Sequence, residues 1–267
     1  MLTIDGRNID CIESGEGPAV LFIPGSYSTA AAWRQVQRGL APGRRLVTTS
    51  LCGYGGTSDS RTAQDFGMEH EVRVVEALAR HIDAPLHLVG HSFGGMVALA
   101  AVLSGRVDVA SLALFEANPL ALLRSRGDGV LYKETLRMSR DFEAAVAAGE
   151  PDAPERIIDF WGGAGVYAAM PEPVRAYCVQ TRAVNVLDWH TDFGFDVDPA
   201  DLSALRTPVL LARGGLANAA MVQMTDIMAA HLPNVRPVVV EDAGHFLITT
   251  HATRCAALLD SFLPRQI

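Results

Sequence analysis

The stretch LVGHSFGGMVALA, residues 88–100, places one serine between two apolar segments of different kinds. Residues 86–90 form a short apolar run that ends at a glycine, as a buried β-strand does, whereas the apolar residues of 96–103 recur at helical spacing. The pattern predicts a strand, a sharp turn that carries Ser92, and a helix.

Short apolar runs of this kind alternate with helical patterns along most of the chain. Strands are predicted at residues 8–14, 19–23, 45–49, 86–90, 111–115, 208–213 and 235–240, and helices in much of 66–82, 95–104, 219–231 and 252–263. The alternation predicts an α/β fold with a mostly parallel sheet covered by helices on both faces. In such sheets the active site lies at the carboxyl ends of the strands.

Strand signals stop between Asn118 and about Arg206, where helical patterns are separated by Gly, Pro and Asp. We interpret residues 119–206 as a helical cap or lid inserted into a core domain made of residues 1–118 and 207–267. An insertion that starts at the carboxyl end of a strand lies over the site. The alternative is a separate helical domain with no part in the chemistry.

Composition narrows the classes of partner and cofactor. The 267 residues are 49% hydrophobic, and 30 acidic against 22 basic residues give a formal charge of −8 without a basic cluster, so neither nucleic acid nor an anionic membrane is an expected partner. The chain start lacks a signal-peptide pattern, which favours the cytoplasm. The four cysteines are widely spaced, and no nucleotide-binding glycine motif or cluster of metal ligands is present, so we expect no cofactor and no metal.

The segment Gly90-His91-Ser92-Phe93-Gly94 fits the pattern G-x-S-x-G between a strand and a helix. Small residues on either side of the serine let strand and helix approach each other, and the helix start directs N–H groups toward a developing negative charge. A serine hydroxyl needs a base to become a nucleophile. Of eight histidines, His245 is the candidate, because it follows the last predicted strand after a short turn.

Four motifs in order resemble the α/β-hydrolase fold superfamily: PGSYSTAAAW (24–33), GYGGTS (53–58), GHSFGG (90–95) and AGHF (243–246). The resemblance covers nearly the whole chain. It implies an eight-stranded sheet, a helical cap inserted after the sixth strand, a triad in the order nucleophile, acid, histidine, and an oxyanion hole shared between two loops.

The acid departs from the usual pattern of that superfamily. It commonly follows the strand at 208–213, but residues 216–218 are Leu-Ala-Asn. In some members the acid follows the preceding strand, where this chain has Glu116, and we predict that Glu116 orients His245. The alternatives are Asn118, which could orient the ring without charge, and Asp242, which is close to His245 in sequence; Glu116 would then only pair or cap locally.

By the same resemblance the oxyanion donors are the backbone N–H groups of Ser26 and Phe93, although members often have His-Gly in the first of these loops and this chain has Pro24-Gly25-Ser26-Tyr27. Candidate pocket residues lie on the loops and in the insertion: Tyr27, Trp33, Leu120, Trp161 and Phe246. The competing interpretation is that the aromatic residues of the insertion form its own small core.

These features predict a cofactor-free serine hydrolase that cleaves a carboxylic ester, thioester or related acyl bond of a small molecule through an acyl-enzyme on Ser92. One alternative is an acyl transferase or lyase that uses the same three residues, and another is a non-catalytic binder of a small ligand. Dehalogenase and epoxide hydrolase chemistry is disfavoured, because those members have an aspartate at the position of Ser92. Monomer and homodimer both remain open.

Overall fold

The structure is a computed structural model that describes residues 1–4, 6–125 and 129–264. Its strands are β1 Leu2–Ile4, β2 Arg7–Ile9, β3 Cys11–Ser14, β4 Ala19–Ile23, β5 Arg45–Thr49, β6 Leu86–His91, β7 Val109–Phe115, β8 Val209–Gly214 and β9 Val235–Val240. Its α-helices are α1 Arg34–Arg38, α2 Glu69–Ile82, α3 Phe93–Leu103, α4 Val130–Ala147, α5 Glu155–Gly162, α6 Val166–Ala169, α7 Glu172–Gln180, α8 Arg182–Gly194, α9 Pro199–Ala204, α10 Ala219–His231, α11 Leu247–Thr250 and α12 Ala252–Phe262. Short 3₁₀ helices span Ala30–Trp33 and Leu120–Ser125.

The central sheet has the order β3-β5-β4-β6-β7-β8-β9, in which β3 is antiparallel to β5 and all other neighbours are parallel. The prediction of a mostly parallel α/β sheet is therefore confirmed. Apolar residues alternate along the strands between two cores. In β4, for example, Leu21 and Ile23 face the layer that contains α2 and α3, while Val20 and Phe22 face the layer of α1 and α12.

The strand count differs from the expected eight, because the central sheet of the described residues has seven strands. β1 pairs with β2 in a separate two-stranded antiparallel sheet. Asp10 separates β2 from β3, and its N–H donates to Thr57 Oγ1 (3.0 Å) while its carboxylate accepts from Ser50 Oγ (2.7 Å). Because β1 and β2 lie outside the central sheet, the helical segment follows the fifth strand of that sheet in chain order and not the sixth.

The segment between β7 and β8 contributes α4 to α9, and its described residues contain no strand. Its apolar side chains form a cluster of their own, which includes Phe142, Trp161 and Trp189 and packs against Met221 and Met224 of α10. No helix in the described part of the chain is both long and apolar enough to cross a membrane.

Candidate active site

The loops that follow β4, β6, β7 and β9 meet at one edge of the sheet, because the carboxyl ends of parallel strands point the same way. These loops carry Ser26, Ser92, Glu116 and His245 respectively. β6 lies between β4 and β7, so Ser92 stands at the centre of this edge. The topology alone thus brings residues from four remote parts of the chain together.

Ser92 occupies a strained turn between β6 and α3, with φ 53° and ψ −129°. A Cβ atom on Gly94 would lie 2.1 Å from the Pro24 carbonyl oxygen, and one on Gly90 would lie 2.5 Å from the Gly94 carbonyl oxygen. Side chains at these two positions would therefore collide with backbone. The turn that presents Ser92 to the surrounding loops therefore requires glycine at both positions of the G-x-S-x-G motif.

The three predicted triad residues are buried and in direct contact. His245 Nε2 lies 3.0 Å from Ser92 Oγ, and His245 Nδ1 lies 3.0 Å from Glu116 Oε2. The other carboxylate oxygen of Glu116 accepts a hydrogen bond of 2.6 Å from the Gly214 N–H. A carboxylate at Nδ1 holds the proton on that nitrogen, which leaves Nε2 free to accept the proton of the Ser92 hydroxyl.

His91 and Trp161 hold the His245 segment in place. His91 Nε2 donates to the His245 carbonyl oxygen at 2.8 Å, and burial, with a smaller contribution from His245, lowers the pKa of His91 to about 3. His91 therefore stays neutral in the range where enzymes work. The indole of Trp161 stacks on the His245 imidazole, with ring centroids 5.4 Å apart.

The predicted oxyanion donors are the backbone N–H groups of Ser26 and Phe93, two residues that line the same cavity as Ser92. Within the described residues neither N–H has a hydrogen-bond acceptor. Phe93 is the first residue of α3, so its N–H lies at the positive end of the helix dipole. Free donors in this position suit an oxygen that gains negative charge.

A cavity of about 50 Å³ adjoins Ser92 and His245. Of the predicted pocket residues, Tyr27, Trp161 and Phe246 line it. Trp33 does not, since its ring is fully buried in the core between Phe22 and Phe115, at centroid distances of 5.4 and 5.7 Å. Leu120 does not either, because it is buried in the apolar cluster of the helical segment. The structure thus places both residues away from this cavity.

A family model described as alpha/beta hydrolase fold matches residues 18–252. The chain belongs to this family. It is a hydrolase, and the predicted superfamily is confirmed.

A fluoroacetate dehalogenase from Burkholderia sp. is 26% identical over 98% of this chain and 92% of its own length. A pimeloyl-[acyl-carrier protein] methyl ester esterase from Aliivibrio salmonicida is 26% identical over 93% of each chain. The structure of a thermophilic esterase from Thermogutta terrifontis is similar in fold, with a TM-score of 0.77 at 21% identity over 96% of this chain and 93% of that one.

A buried polar cluster ties the helical segment of this hydrolase to the Ser26 loop. Asp188 on α8 accepts hydrogen bonds from Ser26 Oγ (2.5 Å) and Tyr54 OH (2.7 Å) and pairs with Arg61 at 2.7 Å. Burial raises the pKa of Asp188, and the charge of Arg61 and the two hydroxyls oppose that rise. The cluster thereby holds the loop that carries Ser26, which lines the same cavity as Ser92.

Replacing Asp188 with asparagine should lower the free energy of unfolding by about 2 kcal/mol, since the amide must turn its NH₂ group toward one of these donors. Urea unfolding followed by circular dichroism measures the change. Asp226→Asn on the exposed face of α10 is the matched control, with an expected change within about 0.5 kcal/mol. Equal stability of the two variants would contradict a structural role for the cluster.

Sequence reasoning missed three polar residues of the site: Asn185, Asp188 and Asp192. All three line the cavity, and all three belong to α8. Their spacing of i, i+3 and i+7 places them on one face of the helix. This spacing is a signal in the sequence, because a polar stripe on a helix beside Trp189 is unusual for a face that packs against the protein interior.

Proposed function

We propose that this α/β hydrolase cleaves a carboxylic ester, thioester or related acyl bond of a small molecule, with Ser92 as nucleophile. The observation that carries the proposal is the position of the His245 ring, within hydrogen-bond distance of both Ser92 Oγ and the Glu116 carboxylate. A serine activated in this way attacks carbonyl carbon.

The proposed reaction has two halves. In the first, Ser92 Oγ attacks the carbonyl carbon, His245 Nε2 takes the hydroxyl proton, and the N–H groups of Ser26 and Phe93 bind the resulting oxyanion. Collapse of the tetrahedral intermediate expels the alcohol or thiol, which leaves with the proton from His245. In the second half, water attacks the acyl-enzyme, His245 accepts a proton from it and returns that proton to Ser92, and the carboxylic acid is released.

We also propose that residues 119–206 act as a cap on this site. Cap residues such as Trp161 and Trp189 line the cavity together with residues of the sheet edge. Trp161 covers the His245 ring directly. A cover of this kind limits the access of water to the site. The side chains of the cap then determine which substrate shapes fit the cavity.

Dehalogenation, the activity in the name of the Burkholderia relative, does not suit a serine nucleophile. Displacement of a halide from an sp³ carbon by Ser92 would form an ether, which has no carbonyl carbon for water to attack. The enzyme would be alkylated once and stopped. An acyl-enzyme on the same oxygen is an ester and is released by water, so the side chain at position 92 favours acyl transfer to water.

Covalent trapping tests the proposal. A fluorophosphonate should modify one residue per chain, with the mass increase on the peptide that contains Ser92, and should abolish turnover of p-nitrophenyl acetate in parallel. Hydrolysis in ¹⁸O-labelled water should place one labelled oxygen in the released acid. An absence of adduct and turnover would overturn the proposal, whereas an adduct with release of the alcohol but of no free acid would point to transfer of the acyl group to another acceptor.

A further inference from the structure

Part of the cavity wall consists of polar side chains whose hydrogen-bonding capacity is unused. Asn118, Asn185 and Asp192 line the cavity and are 4%, 1% and 2% exposed. In residues 1–4, 6–125 and 129–264, no partner is found for Asn118 Oδ1, Asn185 Oδ1 or Asp192 Oδ1. Buried polar atoms without a partner are uncommon, because each loses its hydration without replacement. Three of them around one cavity beside Ser92 indicate that this wall can bind a polar group of a ligand.

The hydrogen bonds that these side chains do make determine what they have left to offer. Asn118 Nδ2 donates to Asp192 Oδ2 at 2.7 Å, and Asn185 Nδ2 donates to Asp188 Oδ2 at 3.3 Å. Both amide NH₂ groups are thus engaged inside the protein, and both amide carbonyl oxygens remain. An amide oxygen is a neutral acceptor, so the complementary group of a ligand is a hydrogen-bond donor.

The charge balance of the wall favours a neutral donor over an ammonium group. Asp188 is already paired with the Arg61 guanidinium at 2.7 Å. Burial raises the pKa of Asp192 well above its ordinary range, with the Leu120 backbone N–H opposing the rise and Asp188 adding to it, and burial therefore disfavours a negative charge on this carboxyl group. The charge of Asp188 is thus already paired, and burial works against a charge on Asp192 that could attract a cation. A hydroxyl group is the donor that fits.

The volume of the cavity limits where that hydroxyl stands in the substrate. The same cavity of about 50 Å³ is bounded by Ser92 and His245, and its remaining wall includes the apolar side chains of Ile157, Trp161 and Phe246. A space of this size encloses only a few non-hydrogen atoms of a bound substrate. The polar wall and Ser92 border the same small space, so the donor lies within a few bonds of the scissile carbonyl.

We propose that the amide oxygens of Asn118 and Asn185 bind a hydroxyl group of the substrate, so that the enzyme prefers short hydroxylated esters to alkyl esters of the same size. The inference rests on the proposed function, because it describes the same site. The hydroxyl belongs either to the acyl part or to the alcohol part of the ester, and the two sources are separated by the choice of substrates.

Two matched pairs of esters test the preference. Methyl 3-hydroxybutyrate against methyl 3-methylbutyrate places the hydroxyl in the acyl part, and 2-hydroxyethyl acetate against propyl acetate places it in the alcohol part. In one of the pairs kcat/KM should be higher for the hydroxylated ester by a factor on the order of 10², because the ester without the hydroxyl leaves buried acceptors unpaired. Methyl 3-aminobutyrate, which carries an ammonium group, should be a poorer substrate than the hydroxyl ester.

Variants of the two asparagines test whether these residues cause the preference for the hydroxylated ester. Asn118→Leu and Asn185→Leu remove an acceptor at similar side-chain volume, and each should reduce the ratio of the matched pair about 10-fold. Asn234→Leu, at an exposed asparagine outside the cavity, should leave the ratio unchanged. Fluorophosphonate labelling of Ser92 in every variant reports that the triad is still assembled.

The outcomes separate this inference from the proposed function. Turnover of p-nitrophenyl acetate with Ser92 labelling, but with equal kcat/KM inside both pairs, overturns the hydroxyl preference alone. A higher kcat/KM for the ammonium ester than for the hydroxyl ester also overturns it. An absence of labelling and of all ester turnover overturns both. A preference that is retained in Asn118→Leu and Asn185→Leu overturns the assignment to these two residues.

Discussion

Replacing Ser92 with alanine should lower kcat for p-nitrophenyl acetate by at least about 10⁴-fold, since without Oγ no acyl-enzyme forms and only the binding site and the oxyanion donors remain. Alanine keeps the Cβ atom, so the backbone at φ 53° is no more strained than in the wild type. Among the described residues the hydroxyl bonds only to His245 Nε2. The variant should therefore fold normally, and loss of activity at an unchanged unfolding midpoint is the measurement that checks this.

Ser203→Ala is the control for this substitution. Ser203 is exposed on α9, and its hydroxyl donates to the Pro199 carbonyl oxygen at 2.8 Å. Its removal should leave kcat within a factor of two. Comparable rates for Ser92→Ala and the wild type would show that Ser92 is not the nucleophile. The contact between Ser92, His245 and Glu116 would then need another explanation.

The sequence allowed the site to be located because its residues follow strands. Once residues 86–90, 111–115 and 235–240 are recognised as parallel strands, the residues after them must meet at one edge of the sheet. This is why Ser92, Glu116 and His245 could be grouped without coordinates, although they are separated by as many as 153 positions. The absence of a carboxylate at 216–218 points to Glu116 as the acid, and Glu116 Oε2 lies 3.0 Å from His245 Nδ1.

The pocket could not be derived in the same way, because it depends on how helices pack. The periodicity of α8 indicates a helix, and the polar residues 185, 188 and 192 mark one of its faces. Neither signal says that this face meets the sheet edge, so the position of Asn185 and Asp192 at the cavity comes from the structure. Trp33 is near the Ser26 loop in sequence, yet its ring turns into the core against Phe22 and Phe115. An apolar residue next to a site motif can be buried either in the core or in the pocket wall, and the sequence does not distinguish the two.

Replacing Glu116 with glutamine should lower kcat by about 10⁴-fold, close to the effect of losing the nucleophile. The carboxylate accepts two hydrogen bonds, one from Gly214 N–H at 2.6 Å and one from His245 Nδ1 at 3.0 Å. A glutamine amide has one oxygen and one NH₂ group. If its oxygen stays on the Gly214 N–H, its NH₂ group faces His245 Nδ1, which must then become an acceptor. The proton moves to Nε2, and His245 can no longer accept the proton of Ser92.

The kinetic signature of this tautomer change distinguishes it from simple loss of stability. Fluorophosphonate labelling of Ser92 should slow in parallel with kcat in Glu116→Gln, while KM stays within a few-fold, because Glu116 contacts His245 and does not line the cavity. Asp242→Asn is the matched control: Asp242 is the other carboxylate considered for the role, its side chain is 84% exposed, and its oxygen lies 3.4 Å from His251 rather than near His245. We expect Asp242→Asn to keep kcat within a factor of two. A large loss in Asp242→Asn together with an active Glu116→Gln would reassign the acid, and would require the loop after β9 to rearrange when substrate binds.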